Sequence, residues 1–331
     1  MGTLVNKPFY AALLEHGRTH DNVVVVTNDL TASCEADGFR DAFPSRHVSA
    51  GMAEQALISS LSGMAAEGLY PIYTSFAVFC TRRPYEQILL TLAYPAKKAT
   101  LVGFLPGLVT PGGVTHQSVD DIGLMTALPN MTVIEAGDAT DMETVLDAVH
   151  PVAGPTYIRG LRGEVPRLFD EPMRLGHHRT MFEGSDVLVV VSGHLTASAH
   201  SVVADIRRQH PGVGLINVST LKPFDDEALI QKLLAATTVV TIENHWVVSG
   251  LSRIVGQVLV ANHATTRLVS VGVQDTFTHG GSAAYLEDFY GISERHIARA
   301  ILGALGVETD SVGQSAGGGI VTLTEGVAEG L

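Results

Sequence analysis

Residues Ser49 to Leu90 read SAGMAEQALISSLSGMAAEGLYPIYTSFAVFCTRRPYEQILL, and the fold is decided here. A glycine turn opens the stretch and places a carboxylate, Glu54, in the first turn of the helix that follows. That helix continues on small and apolar residues, Ala56, Leu57, Ile58, Leu61, Gly63 and Met64, so mostly apolar surroundings are expected for Glu54. A short strand, Pro71 to Ser75, comes next, followed by two phenylalanines three apart, Phe76 and Phe79. A buried acid beside an aromatic pair suits a flat, nitrogen-rich ring, because the acid bonds a ring nitrogen and the aromatics pack on its face. Taken alone, Glu54 also reads as a plain first-turn acid favoured by the helix dipole.

The flanking sequence alternates strands and helices. Lys7 to His16 reads as an amphipathic helix. Val23 to Thr27 is an unbroken β-branched run, the pattern of a strand buried on both faces of a parallel sheet. Polar residues follow it, Asn28 to Ser33, where ligands bind in open α/β sheets; a plain capping loop is the alternative. Ala99 to Phe104, Met131 to Ile134 and Thr156 to Ile158 are further strands, and Ile122 to Leu128 and Ala139 to Val149 are helices. This predicts a doubly wound domain over 1–162. Residues 163–184 mix prolines and both charge signs and read as a surface linker. A second α/β domain is predicted over 185–305, with strands at Val187 to Val191, Gly214 to Val218, Thr238 to Ile242 and Leu268 to Gly272. The glycine-rich residues 306–331 read as a mobile tail.

Composition narrows the function. The 331 residues are 46% hydrophobic and 17% charged, enough for two well-buried domains. With a net charge of −13 and no Lys/Arg run, nucleic acid and anionic membranes are poor partners. The two cysteines, Cys34 and Cys80, have no metal spacing and fit a reducing compartment, and no signal peptide or spanning segment is read, so a cytoplasmic location is expected. His177-His178, adjacent in the linker, makes a weak metal candidate, and no metal site is assigned to this chain. There is no G-x-S-x-G elbow, no H-E-x-x-H and no P-loop.

The spaced combination G-M-A-E-Q at 51–55, T-S-F-A-V-F at 74–79, Y-E-Q-I at 85–88 and T-H-Q at 115–117 resembles the pyrimidine-binding domain of transketolases, and the likeness runs over roughly residues 4 to 305. The resemblance implies a pyrimidine-binding domain followed by a transketolase C-terminal-type domain, and thiamine diphosphate as cofactor. It implies that Glu54 meets N1′ of the aminopyrimidine and that Phe76 and Phe79 stack on that ring, with Asp29 among the cofactor-facing residues. It gives His116 a place near the substrate's oxygens, as general acid/base or hydrogen-bond donor. Ser33 and Arg159 match family contacts to a substrate phosphate; a salt-bridge role for Arg159 is the alternative.

What the family has and this chain lacks is equally informative. The family's metal and diphosphate motif is G-D-G followed by a distant Asn; here Gly137-Asp138-Ala139 stands without a matching Asn. The resemblance therefore implies the C-terminal subunit of a split, two-component transketolase. An N-terminal diphosphate-binding subunit would hold the magnesium or other divalent cation, and an α2β2 complex would be active where either chain alone is not. Asn6, Phe104 and Gly112 replace a family arginine, histidine and acid, so an atypical or non-phosphorylated acceptor of the two-carbon ketol unit is expected. The beta subunit of a 2-oxo acid dehydrogenase and a non-catalytic scaffold chain remain as alternatives.

Overall fold

The structure is a computed structural model, and it describes residues 2–307. The mobile tail expected over 306–331 falls almost wholly on residues 308–331, outside the described residues. In the first half the elements run β1 (Leu4–Asn6), α1 (Pro8–Thr19), β2 (Val23–Thr27), α2 (Asp37–Ala42), β3 (His47–Ser49), α3 (Glu54–Ala66), β4 (Tyr70–Phe76), α4 (Ala77–Thr81) and α5 (Tyr85–Gln87). They continue with β5 (Thr100–Phe104), α6 (Asp121–Thr126), β6 (Thr132–Glu135), α7 (Ala139–Val149), β7 (Thr156–Gly160) and β8 (Glu164–Pro166). The second half holds β9 (Arg179–Phe182), β10 (Val187–Val191), α8 (Thr196–Ile206), β11 (Val213–Asn217), β12 (Thr220–Lys222), α9 (Glu227–Ala235), β13 (Thr238–Trp246), α10 (Leu251–Ala261), β14 (Arg267–Val273), α11 (Ala283–Phe289) and α12 (Glu294–Ala304).

Two parallel sheets with helices on their faces result, as the β-branched runs predict. The first has the order β12-β6-β7-β5-β4-β2-β3 and the second β14-β13-β10-β11-β9. Val23 to Thr27 and Val187 to Val191 are buried at every position, which is why their sequences show no polar alternation. Within the first sheet β2, β3, β4, β5, β6 and β7 run parallel, so their C-terminal ends share one edge. The chain leaves β2 toward β3 and leaves the neighbouring β4 toward β5, and this reversal puts a crevice between β2 and β4 at that edge.

The stretch expected to be a plain linker is partly sheet. β8 pairs antiparallel with β1, and β9 pairs antiparallel with β11 as an edge strand of the second sheet. The two halves are also stitched together by β12, which leaves the second half and pairs antiparallel with β6 of the first sheet. His178, in this stretch, gives its ring Nδ1 to Asp226 at 2.6 Å, and Asp226 caps α9. Among the described residues no helix is long and apolar enough to cross a membrane.

Candidate active site

Glu54 is the first residue of α3 and is 5% exposed. Its approach is fixed from the sheet. Asn28, just past β2, donates to the Gly51 carbonyl (3.2 Å), its own carbonyl accepts from Ser49 Oγ (2.7 Å), and its side-chain oxygen accepts from the Tyr73 hydroxyl. This network pins the glycine turn against the ends of two strands, so the helix can start only in one place. The surroundings of Glu54 are not wholly apolar, as the sequence suggested: Arg83 donates from Nη1 to Oε1 at 2.7 Å.

The aromatic pair lies at the end of β4 and in α4. Phe76 and Phe79 are half-buried, with ring centroids 6.1 Å apart and an interplanar angle of 23°. The Arg83 guanidinium sits 4.3 Å from the centre of the Phe79 ring, and the exposed His116 ring meets the edge of Phe79 at 5.3 Å. Glu54, Arg83, Phe79, Phe76 and His116 therefore form one contiguous group. Neighbouring arginines divide the work of positioning it. Arg83 holds Glu54, while Arg82 grips Asp120 (2.7 and 3.0 Å) and the Val114 carbonyl (3.1 Å), which fixes the loop carrying His116. The buried Gln117 ties the same loop to the Thr110 carbonyl (3.0 Å) and, across to the second domain, to the His279 carbonyl (3.1 Å). The sequence reading missed Arg83; the signal was Arg82-Arg83 immediately after the spaced phenylalanines.

Asp29, exposed, and Ser33, half-buried, lie on the loop after β2 at the same sheet edge. Ser33 accepts a hydrogen bond at its carbonyl from Arg162 Nη1 (2.6 Å). Arg162 and Lys7 both face the buried Glu35, whose carboxyl is pushed up by burial and drawn back by backbone donors and by these two cations. So Arg162, a cation that the sequence reading passed over, stands next to Ser33, and Lys7 acts on the same Glu35.

Arg159 is not among them. Its side chain is fully buried between the domains. Nε donates to Asp121 Oδ2 (2.9 Å), Nη1 to Glu135, and Nη2 to the carbonyls of Ser118 (3.0 Å) and Asn244 (2.9 Å). Tyr157 donates to the same Asp121 oxygen (2.6 Å), and Ser192 donates to Glu135. A guanidinium enclosed in this way cannot reach a substrate phosphate, and the phosphate-binding reading of Arg159 is corrected to an interdomain ion cluster. Phe104 is likewise core: it is 0% exposed and packs edge-on against Phe9, with centroids 5.3 Å apart, so it does not make the site more apolar. Both residues end strands whose sequence looks the same whether the last side chain faces the crevice or the interior.

The Gly137-Asp138-Ala139 turn is occupied by structure. Asp138 is buried, caps α7 by accepting from Asp141 N (2.8 Å), and accepts from the backbone of Leu168 (2.8 Å) and Phe169 (2.9 Å). Its carboxylate has no free face for a cation. The acid and aromatic pair at the sheet edge fit an aminopyrimidine, with Glu54 as the bonding group and Phe76 and Phe79 as the packing faces. This donor set offers nothing comparable for a diphosphate and its metal.

Two α/β domains with an acid and stacked aromatics at the switch-point edge define a pyrimidine-binding module joined to a second, transketolase-type domain. Comparison with known proteins agrees: residues 5–167 match the model of the transketolase pyrimidine binding domain and residues 176–297 that of the transketolase C-terminal domain. A transketolase family protein from Sinorhizobium fredii, itself uncharacterized, is 35% identical over 89% of this chain and 87% of its own. The 6-deoxy-6-sulfo-D-fructose transketolase subunit of a Clostridium strain is 33% identical over 87% of this chain and 90% of its own. A solved split-gene transketolase, an inactive β4 tetramer, superposes with a TM-score of 0.83 at 31% identity, covering 91% of this chain and 98% of that one. The chain belongs to the transketolase family and is a subunit of the split type. Family membership implies dependence on thiamine diphosphate, and the split relatives imply a separate partner subunit.

Proposed function

We propose that this chain holds the pyrimidine end of thiamine diphosphate in a heteromeric transketolase, and that the complex moves a two-carbon ketol unit from a ketose donor to an aldehyde acceptor. The observation that carries the reading is the Glu54 carboxylate beside the Phe76–Phe79 pair at the C-terminal edge of a parallel sheet. When bound, the cofactor supplies the carbanion chemistry, and the protein's share is to orient it and set its protonation. Glu54 holds a proton between its carboxylate and the ring nitrogen it meets. Phe76 and Phe79 fix the ring plane and exclude water from one side. His116, exposed at the edge of Phe79, exchanges a proton with substrate oxygens from its ring nitrogen.

The partner would supply the diphosphate and divalent-cation ligands, in an α2β2 arrangement with the site between chains. Supporting this, α3 presents an outward face of Ala56, Ser59 and Gly63, and a Cβ on Gly63 would meet nothing within 4 Å. Met52 (76% exposed), Leu90 (53%) and Tyr94 (83%) add apolar surface that an isolated chain leaves in water. On the acceptor side, Arg162 beside Ser33 favours a substrate with an anionic end. This reading departs from the expectation of an atypical or non-phosphorylated acceptor drawn from Asn6, Phe104 and Gly112.

The test is to purify this chain with and without the diphosphate-binding polypeptide, add thiamine diphosphate, magnesium and an aldehyde acceptor, and follow aldehyde release from a panel of ketoses. Turnover is expected only from the complex. Full turnover by the lone chain would overturn the split-subunit reading.

A further inference from the structure

At the opposite edge of the first sheet three imidazoles converge. His16 and His20 lie one turn apart at the C-terminal end of α1, and His150 follows α7. Tyr70, the first residue of β4, packs its ring against His16 and His150, with centroids 6.1 and 5.3 Å away. Phe76 closes the other end of β4, so about 20 Å of strand, at ~3.3 Å per residue, separates this cluster from the candidate active site. The ring centroids of His20 lie 4.3 Å from His16 and 4.1 Å from His150, and one ligand atom from each of the three falls within 4.8 Å of the others.

We propose that His16, His20 and His150 form a binding site for a divalent transition metal, with zinc the best fit, that clips the end of α1 to the end of α7. Two observations support a ligand over simple ring stacking. His16 is 2% exposed, yet its Nε2 has no hydrogen-bond partner, and the buried Nδ1 of His150 has none either. Buried ring nitrogens without partners are uncommon because each forgoes a bond it would make in water. The second is the orientation of His16. Its Nδ1 bonds Asp147 Oδ1 at 3.0 Å, the carboxylate–histidine pairing that fixes the tautomer and aims the other nitrogen at a metal. His20 is oriented in the same sense, its Nδ1 being engaged by Thr19 Oγ1 (2.9 Å) and the His16 carbonyl (3.2 Å).

Imidazole nitrogen is a favoured ligand for zinc, with Zn–N of about 2.0–2.1 Å, so tetrahedral ligand atoms lie about 3.3 Å apart and small ring rotations would close the cluster. His20 and His150 are half-exposed, which leaves the fourth position to water. Lys98 opposes a cation here, but its ammonium is engaged by the His150 carbonyl (2.6 Å) and the Tyr70 ring. Arg46 is likewise taken up by the carbonyls of His20 (2.9 Å) and Gly17 (2.7 Å), and the exposed Asp147 supplies the balancing negative charge.

The experiment titrates the tag-free full chain, stripped with EDTA, with zinc sulfate in a calorimeter, and repeats the titration with cobalt(II) to read tetrahedral d–d absorption. One equivalent is expected to bind and to raise the thermal midpoint of the wild type. His20→Ala and His150→Ala, at half-exposed positions, should abolish that equivalent while keeping the wild-type circular dichroism spectrum. Asp147→Asn, which leaves all three ligands in place, should weaken zinc about 10- to 100-fold. Binding that survives both histidine variants unchanged, or no binding at micromolar protein and zinc, would overturn the proposal.

Discussion

Arg83 bridges the two halves of the candidate site: it bonds Glu54 at 2.7 Å while its guanidinium lies 4.3 Å from the centre of the Phe79 ring. The acid and the aromatic that a pyrimidine would touch are thus held in register by one exposed side chain. Arg83 is 48% exposed, so the pair is weak in water and opens readily when a competing bond to Glu54 is offered. Glu54→Gln keeps the shape but not the charge. In the assembled complex it is expected to stop exchange of the cofactor's C2 proton with deuterium, with an unchanged thermal midpoint. Exchange at the wild-type rate would assign pyrimidine activation to another group.

The interdomain cluster should behave as a structural unit. Arg159 pairs with both Asp121 and Glu135 in a site closed to water. Although burial raises the Asp121 carboxyl, the charge and hydrogen bond of Arg159, with the hydrogen bond from Tyr157, outweigh it and hold the group below its ordinary value. Arg159→Met strands two buried acids, and breaking such a pair costs about 3–5 kcal/mol. Adding Asp121→Asn and Glu135→Gln should recover a large part of that loss, because the three changes share one network. Urea unfolding decides it. A Met variant of native stability whose only defect is a raised KM would return Arg159 to the substrate.

How much of this was legible in the sequence depends on the range of the interaction. Val23 to Thr27, Ala139 to Val149 and Val187 to Val191 are found where their residues place them, since burial on both faces, or a capping Asp138, is a local signal. Glu54, Phe76, Phe79 and His116 come together as the spaced motifs suggested. β8 and β9 were invisible because each is a three- or four-residue edge strand of mixed polarity. The fate of Arg159 was invisible for another reason. Its partners come from three segments, at 118–121, 135 and 244, and only the docking of the second domain closes them around it. The i, i+4 pair His16 and His20 was readable, but its third member, His150, arrives through packing of α1 on α7.

The interdomain cluster around Asp121 also gives a pH signature. His245 accepts from the Ile122 amide at Nε2 (3.2 Å) and bonds the Trp246 carbonyl through Nδ1 (3.0 Å), which fixes a neutral ring. Burial lowers it from 6.5 to about 4. Between those values the unfolded chain takes up a proton that the folded chain refuses. The stability contributed here is therefore complete above pH 6.5 and lost as pH falls toward 4. Unfolding free energies measured from pH 7 to 4 should fall more steeply for wild type than for His245→Gln. Parallel slopes would mean that His245 is not what couples this region to acid.

The acceptor end offers the sharpest functional test. Arg162 is exposed, yet Nη1 is anchored to the Ser33 carbonyl at 2.6 Å, on the loop that closes the sheet edge beside the cofactor-facing residues. An anion bound there would gain a charge-assisted bond worth about 1.5–3 kcal/mol. Arg162→Ala should therefore lower kcat/KM for a phosphorylated or sulfonated acceptor roughly ten- to hundredfold, with little change for glycolaldehyde. Because both acceptors share donor, cofactor and proton transfer, the ratio of their kcat/KM values isolates the anionic end. An equal loss on both acceptors would place Arg162 among residues that hold the Ser33 loop and leave the anion to the partner chain.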